Sequence, residues 1–135
     1  MSFGYRVLGF GVGASKRADY TAEYLIIAGG GYGGYSLSRC GGGGGAGGTV
    51  DTSATLVAET AYAVVIGAAN ADSSFNSVTA VAGGHGGSSN NNGSVGGSGI
   101  VIIRYAGATQ ATGGTITDAG GYTYHTFTSS GTYTA

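Results

Sequence analysis

Short apolar runs separated by glycine-rich stretches form the pattern of this chain. The three strongest runs are EYLIIA at residues 23–28, YAVVIG at residues 62–67 and IVIIRY at residues 100–105. Each is too short for a globular helix and rich in β-branched or aromatic residues, which favours a strand. The consecutive aliphatic residues in the first run are typical of a strand buried on both faces.

Weaker runs, some with period-two alternation, lie between the glycine tracts and near the end of the sequence. They predict further strands, and turns at residues 118–121 and 129–131 would join the last ones, with the final strand pairing back on its predecessor. The weaker strands are residues 50–57, 75–81, 115–117, 122–128 and 132–135. No window favours a helix. We therefore expect an all-β fold, a small glycine-rich β-sandwich or jelly-roll-like domain with long glycine loops.

The chain divides into three parts by this pattern. Residues 1–20 hold no regular period and predict an extended N-terminal arm that docks on a partner, with one short strand at residues 5–8. Residues 21–106 form the glycine-rich β domain. Residues 107–135 form a C-terminal β-hairpin segment that packs on the same domain or on a neighbouring subunit. The docking candidates in the arm are its large apolar side chains, Phe3, Tyr5, Leu8 and Phe10.

Composition adds a physical constraint on stability. Glycine supplies 31 of the 135 residues and charged residues only 8%. Glycine loses more backbone entropy on folding than any other residue, and it has no side chain to bury in return. We therefore expect the chain to gain stability by burying surface against copies of itself or against a neighbouring protein.

Charge and cysteine content exclude several classes of protein. The net charge is −1 and the five basic residues are scattered, which argues against a nucleic-acid-binding surface. No stretch approaches the ~20 apolar residues of a membrane span, and no secretory signal begins the chain. The single Cys40 cannot form an internal disulfide. These features predict a protein without nucleic acid or membrane insertion, assembled in a reducing cytoplasm.

One motif imitates a dinucleotide-binding fingerprint. Gly29, Gly31 and Gly34 match G-x-G-x-x-G directly after a strand, and Asp51 follows about twenty residues later. The fingerprint requires a helix whose amino-terminal N–H groups hold the pyrophosphate. Residues 33–48 are too rich in glycine to form that helix, so we predict no cofactor.

No other arrangement of reactive residues has the spacing of a catalytic or metal site. His85 and His125 are far apart in the sequence and do not resemble a metal-ligand pair. His85 is expected at a loop tip, although three copies could meet on the axis of a trimer and bind a metal. His125 is expected on the solvent or interface face of a strand. We predict no catalytic residue and no metal, and hence no enzyme.

Tyrosine carries the clearest binding signal. Tyr32 and Tyr35 flank a bend in the first glycine tract, and residues 88–92 form a polar tract. Tyrosine with glycine, serine and asparagine is the composition of binding loops, and tyrosine stacks well on carbohydrate. The alternative is that the aromatic residues pin glycine loops onto the sheet or fill subunit interfaces. The candidate receptor contacts are Tyr32, Tyr35, His85, Ser88, Asn90, Asn91 and Asn92.

Four segments together resemble a known family. YLIIAGGGYGG, RCGGGGGAGG, GIVIIRY and GGYTYHTFTSSGTYTA are similar to the glycine-rich domain found in bacteriophage tail-fibre and other virion proteins. The resemblance covers about residues 20–135 and carries no catalytic residues. Some phage adhesins stack long glycine segments as polyproline-II-like helices. Residues 41–48 and 83–87 look too short for such a stack.

The resemblance implies a non-catalytic virion structural protein, most readily a tail-fibre or tail-tip component that contributes to host attachment. It would be a homotrimer on the particle surface, assembled in the host cytoplasm. Its partners would be other virion proteins and a host-surface glycan or protein. The alternatives are a head decoration or other accessory virion protein and, less in keeping with the short chain, a polysaccharide depolymerase.

Overall fold

The structure is a computed structural model that describes residues 16–35, 40–87 and 94–135. Within these ranges the chain forms nine strands and no helix, so the prediction of an all-β fold is confirmed. The strands are β1 (Tyr20–Ile27), β2 (Thr49–Leu56), β3 (Ala61–Val65), β4 (Ser73–Phe75), β5 (Val78–Ala80), β6 (Ile100–Ala106), β7 (Thr115–Ala119), β8 (Tyr122–Phe127) and β9 (Gly131–Thr134).

Two antiparallel sheets pack face to face as a small β-sandwich. The five-stranded sheet has the order β2-β1-β6-β8-β7, and the four-stranded sheet has the order β5-β4-β3-β9. β1 and β6, which carry two of the strongest apolar runs, lie side by side in the first sheet. Alternate residues of these strands point into the sandwich, as the two-residue period of a strand requires.

Aromatic and aliphatic side chains from both sheets fill the core. Phe75 of β4 is fully buried, and its ring meets Tyr24 edge-on at 5.0 Å and Tyr133 edge-on at 5.8 Å between centroids. Ile26 and Ile103 close the same cluster from the five-stranded sheet, and both are fully buried. The contact between the rings of Phe75 and Tyr24 therefore joins the two sheets.

The first apolar run is buried on only one of its faces. Ile26 points into the core, whereas Leu25 and Ile27 lie on the outer face of the five-stranded sheet and are partly buried. The expectation of full burial on both faces is therefore met on the inner face only.

Two details of strand pairing differ from the sequence-based expectation. Residues 75–81 form a hairpin rather than one strand, because Asn76 and Ser77 adopt positive φ angles of 48° and 63° and reverse the chain. The last strand does not pair back on β8. It crosses to the other sheet, where Tyr133 lies opposite Tyr62 of the same chain.

The glycine tracts form a second structural unit, which we call the glycine bundle: residues 28–34, 41–48, 83–87 and 94–99. Backbone hydrogen bonds between the first two tracts recur every third residue, at N···O distances of 2.7–2.9 Å. The donors Ala28, Gly31 and Gly34 bond to the carbonyls of Gly48, Gly45 and Gly42. A three-residue repeat is that of the polyproline II helix, which has no internal hydrogen bonds and leaves its N–H groups for neighbours.

The other tracts join the bundle with the same repeat. In the second tract, Gly45 donates to Gly84 of the third tract, and Gly48 donates to Val81, two residues before that tract. Third-tract donors reach the first tract (Gly83 to Gly29, Gly86 to Tyr32), and first-tract donors reach the fourth (Gly30 to Gly97, Gly33 to Ser94). The tracts are short, as the sequence indicates, and yet they stack in a small bundle. Each is hydrogen-bonded to neighbouring tracts, and strands anchor the bundle, so a few turns suffice.

The bundle lies at one end of the sandwich, and Asp19 and Ala135 lie at the opposite end. β1 and β5 run into the first and third tracts, while the second and fourth tracts run back into β2 and β6. We call the far end of the bundle the tip. At the other end, the base, Ala58 N–H donates to the carboxylate of Asp19 at 3.1 Å, and Ala135 N–H donates to the carbonyl of Thr60 at 3.0 Å.

Candidate functional site

Two of the predicted contact residues meet on the glycine bundle. The rings of Tyr32 and His85 stack with centroids 5.2 Å apart and planes 17° apart. The first and third tracts run parallel, and Gly86 N–H donates to the carbonyl of Tyr32 at 2.8 Å. This register places residue 85 beside residue 32, so the backbone hydrogen bonds position the aromatic pair.

The pair lies toward the tip of the bundle. Tyr32 is partly buried and His85 is exposed. Tyr35, also a predicted contact, is 43% exposed and follows Gly34, whose N–H donates to Gly42 at 2.7 Å. The structure therefore brings the three described members of the predicted set to one part of the molecule, although His85 lies at least fifty residues from the two tyrosines in the sequence.

The remaining predicted contacts lie outside the described residues. The structure does not describe residues 36–39 and 88–93. The described residues next to both gaps lie at the tip, because Gly33 N–H donates to Ser94 and Gly42 N–H donates to Gly87 there. The loop candidates outside the described residues are Ser88, Asn90, Asn91 and Asn92, and the docking-arm candidates outside them are Phe3, Tyr5, Leu8 and Phe10.

The described part of the tip has a distinctive chemistry. None of the described residues in the four tracts, or in the turns beside them at residues 35, 40 and 81–82, carries a formal charge. What it offers is a stacked aromatic pair on a backbone held by hydrogen bonds, with Tyr35 and Cys40 exposed nearby. Such a surface suits a ligand bound through stacking and neutral hydrogen bonds, such as a sugar ring or an aromatic side chain.

The glycines of the imitation fingerprint are engaged elsewhere. The N–H groups of Gly29, Gly31 and Gly34 donate to the carbonyls of Ala71, Gly45 and Gly42 at 2.7–3.0 Å. A pyrophosphate would need such N–H groups free and aligned at a helix terminus. Here the bonds of Gly31 and Gly34 hold the bundle together and that of Gly29 joins it to the segment before β4, which gives a structural role to the residues that imitate the motif.

His125 lies in the core, which corrects its expected place on a solvent or interface face. It is fully buried, and its Nδ1 lies 2.7 Å from the carbonyl oxygen of Gly113. A carbonyl only accepts, so Nδ1 carries the proton and Nε2 accepts from the Tyr105 hydroxyl at 3.1 Å. That hydroxyl in turn accepts the N–H groups of Gln110 at 3.0 Å and Ala111 at 3.2 Å.

This network holds His125 neutral. Burial lowers the pKa of His125 below its ordinary value, against the opposing effects of the Gly113 carbonyl and Asp118. A proton on Nε2 would meet the Tyr105 oxygen, whose lone pairs already accept two N–H groups. The sequence did contain the signal for this placement, because Phe127 shares a strand face with residue 125.

The described residues contain no group of three histidine, cysteine or acidic side chains that could hold a metal ion. The two histidines are in different environments, one near the tip and one in the core. In the parts of the chain that the structure describes, no helix is long and apolar enough to cross a membrane.

Part of the chain matches a known protein family. A family model described as a glycine-rich domain matches residues 13–82, slightly more than half of the chain. The matched range includes β1 to β5 and the first two tracts of the glycine bundle. Neither the curated proteins nor the solved structures include a significant match.

Proposed function

We propose that this chain, which belongs to the glycine-rich domain family, is a non-catalytic structural protein of a bacteriophage particle, most specifically a tail-fibre or tail-tip component that contributes to host attachment. The assignment to a phage particle rests on the resemblance of its strand and glycine segments to phage tail-fibre domains. In this proposal the base faces the particle and the tip faces the host. The partners are other virion proteins, copies of this chain and a host-surface glycan or protein.

The observation that carries the proposal is the polarity of the molecule. Lys16–Asp19 and Ala135 lie at the base, where the described chain enters and leaves, and the aromatic pair lies at the opposite end. A protein that joins a particle at one end and contacts a receptor at the other needs this arrangement. Catalysis in a cleft does not require two separate contact surfaces at opposite ends of the molecule.

The glycine bundle supplies the reach and the rigidity that such a role requires. A polyproline-II-like tract rises ~3.1 Å per residue, so the seven residues of the first tract span roughly 20 Å. Hydrogen bonds to neighbouring tracts hold this extension in place, which lowers the entropy lost on binding.

Adsorption of phage particles tests the proposal. We expect the double substitution Tyr32→Ala with His85→Ala to lower the adsorption rate at least tenfold while particles still assemble with the protein present. Val65→Ala is the control, because Val65 is 45% exposed on the four-stranded sheet, outside the bundle and at the end of β3 far from the base. Unchanged adsorption of the double variant would contradict the proposal that the tip contacts the host receptor.

Location and copy number separate the proposal from its alternatives. Immunogold labelling should place the protein on the tail, with a few to a few dozen copies per particle. Hundreds of copies on the head would instead identify a head decoration. Cleavage of host polysaccharide by the purified protein, lost on replacing one carboxylate, would identify a depolymerase.

A further inference from the structure

The outer face of the five-stranded sheet carries a regular arrangement along its two central strands. β1 and β6 are antiparallel neighbours, and their outward residues pair directly across the ladder. The three outward pairs are Glu23 with Arg104, Leu25 with Ile102, and Ile27 with Ile100. Each pair joins chemically complementary partners: one is an acid with a base, and two are aliphatic with aliphatic.

This face is incompletely covered in the single chain. The four aliphatic side chains are only partly buried. An open depression of about 270 Å³ lies beside them, lined in part by Leu25, Ile102 and Asp51. Partly buried aliphatic residues around an open depression, rimmed by charged groups, are typical of an interaction surface.

The charged rim is ordered within the chain. Arg104 forms an ion pair with Glu23, and its guanidinium carbon lies 5.2 Å from the ring centroid of Tyr122. Both members of the pair remain about half exposed, so each retains capacity for a second partner. An arginine with five donors can bind two carboxylates at once.

We propose that this face binds the same face of a second copy of the chain, around a two-fold axis that runs parallel to the strands between β1 and β6. Such an axis exchanges the two strands, so β1 of one copy lies over β6 of the other at the same height. Glu23 then faces the partner copy's arginine, and Leu25 faces its isoleucine. The β1–β6 register pairs complementary residues within one sheet, and the two-fold axis therefore pairs the same residues between the two copies.

The flanking strands support the same axis. The register places Asp51 of β2 opposite Leu25 and Thr126 of β8 opposite Ile102. The axis brings Asp51 over the threonine of the other copy, which can donate to its carboxylate. In the row with Glu23, it likewise brings Ser53 of β2 over Tyr124 of β8. An isologous interface requires this self-complementarity of one patch.

The arrangement goes beyond the proposed attachment role and does not depend on it. An axis parallel to the strands keeps both tips on the same side, so two glycine bundles project side by side. Sheets stacked in this way lie ~10 Å apart, close enough to bury the aliphatic pairs. The unit of assembly is then a dimer, in contrast to the homotrimer that the family resemblance implies.

Charge reversal with mixing tests the interface. Glu23→Arg places positive charges at both positions of the ion pair, and Arg104→Glu places negative charges at both. By light scattering and sedimentation, we expect the wild-type protein to be a dimer. Each variant alone should show at least a tenfold rise in the dimer dissociation constant. When the two variants are mixed, they should form a heterodimer. Glu59→Arg and Lys16→Glu make the same charge changes outside the face and should remain dimeric.

An apolar substitution provides a second, independent test. Ile102→Thr should also raise the dissociation constant at least tenfold, while Val81→Thr, at a residue 66% exposed and off this face, should leave it unchanged. Thermal unfolding of each variant confirms that it is folded. A monomeric or trimeric wild type, dimers that survive these substitutions, or charge variants that do not associate on mixing would each overturn the proposal, independently of phage adsorption.

Discussion

The β-sandwich and the glycine bundle are held together by different parts of the chain. The sandwich buries side chains, and its centre is the aromatic cluster around Phe75. The bundle buries backbone, and its cohesion comes from hydrogen bonds that recur every three residues. One region therefore depends on which side chains are present, and the other depends on their absence.

The difference predicts opposite rules of substitution. In the sandwich, a residue of similar volume and polarity can replace another at modest cost. In the bundle, position matters more than chemistry. A Cβ atom at Gly44 would lie 2.3 Å from the carbonyl oxygen of Gly31, while one at the adjacent Gly43 would meet no atom within 4 Å. Neighbouring glycines therefore differ completely in their tolerance.

The largest effect should come from the sandwich. Phe75→Ala removes a fully buried ring that contacts both sheets, so we expect a loss of about 4 kcal/mol in the free energy of unfolding. Denaturant unfolding measures it, with Val81→Ala as a control that should change stability by less than about 0.5 kcal/mol. A loss below ~1 kcal/mol would show that the ring cluster is not the main cohesion of the core.

Adjacent glycines give the sharpest test of the bundle. Gly44→Ala should cost about 2 to 3 kcal/mol, because the new methyl group overlaps backbone that cannot rotate away. Gly43→Ala should instead stabilise by roughly 0.5 kcal/mol, because alanine restricts the unfolded chain.

Amide hydrogen exchange locates the damage from Gly44→Ala. Protection should fall at the N–H groups of Gly31 and Gly45 and persist at Ile26 in the sandwich. Equal effects of the two alanine substitutions would contradict a backbone-packed bundle.

The smallest effect should appear in the pH dependence of the sandwich. The pKa of His125 is lowered in the folded state, so the unfolded chain takes up a proton first as the pH falls. Stability is then complete above the unfolded pKa of ~6.5 and declines as the pH falls below it, until the folded pKa is reached.

Denaturant midpoints at several pH values between about 7.5 and 5.5 measure this decline. His85→Gln should keep it, since that residue lies outside the core, and His125→Gln should remove it. A wild-type protein with no pH dependence in this range would contradict a histidine held neutral by burial.

Strand positions were readable because they depend on local alternation. The runs at residues 23–28 and 100–105 predicted β1 and β6 closely, and the all-β class followed. The hairpin at Asn76 and Ser77 was missed, because neither residue is glycine and yet both adopt positive φ. The crossing of β9 to the second sheet was missed because a strand pattern does not identify the partner strand.

The role of the candidate site stays a prediction, and only its geometry can be compared with the sequence. Tyr32, Tyr35 and His85 were selected as contact residues from composition, and the structure brings them to one part of the molecule. Their proximity could not be read from the sequence, because it results from a parallel register between tracts more than fifty residues apart. The core placement of His125 depends likewise on the loop that carries Gly113 and on Tyr105 of the neighbouring strand.

The sequence by itself determined the positions of the long strands and of the short glycine tracts, and it indicated that the tracts do not form helices. These features follow from local propensity and steric freedom. Only the tertiary structure decided that the tracts pack on one another. Their N–H groups have no partners within a tract, so the hydrogen bonds that fix them must come from segments distant in the chain. Glycine, which was expected to lower the stability of a single chain, is thus the residue that allows the backbones of the tracts to pack against one another.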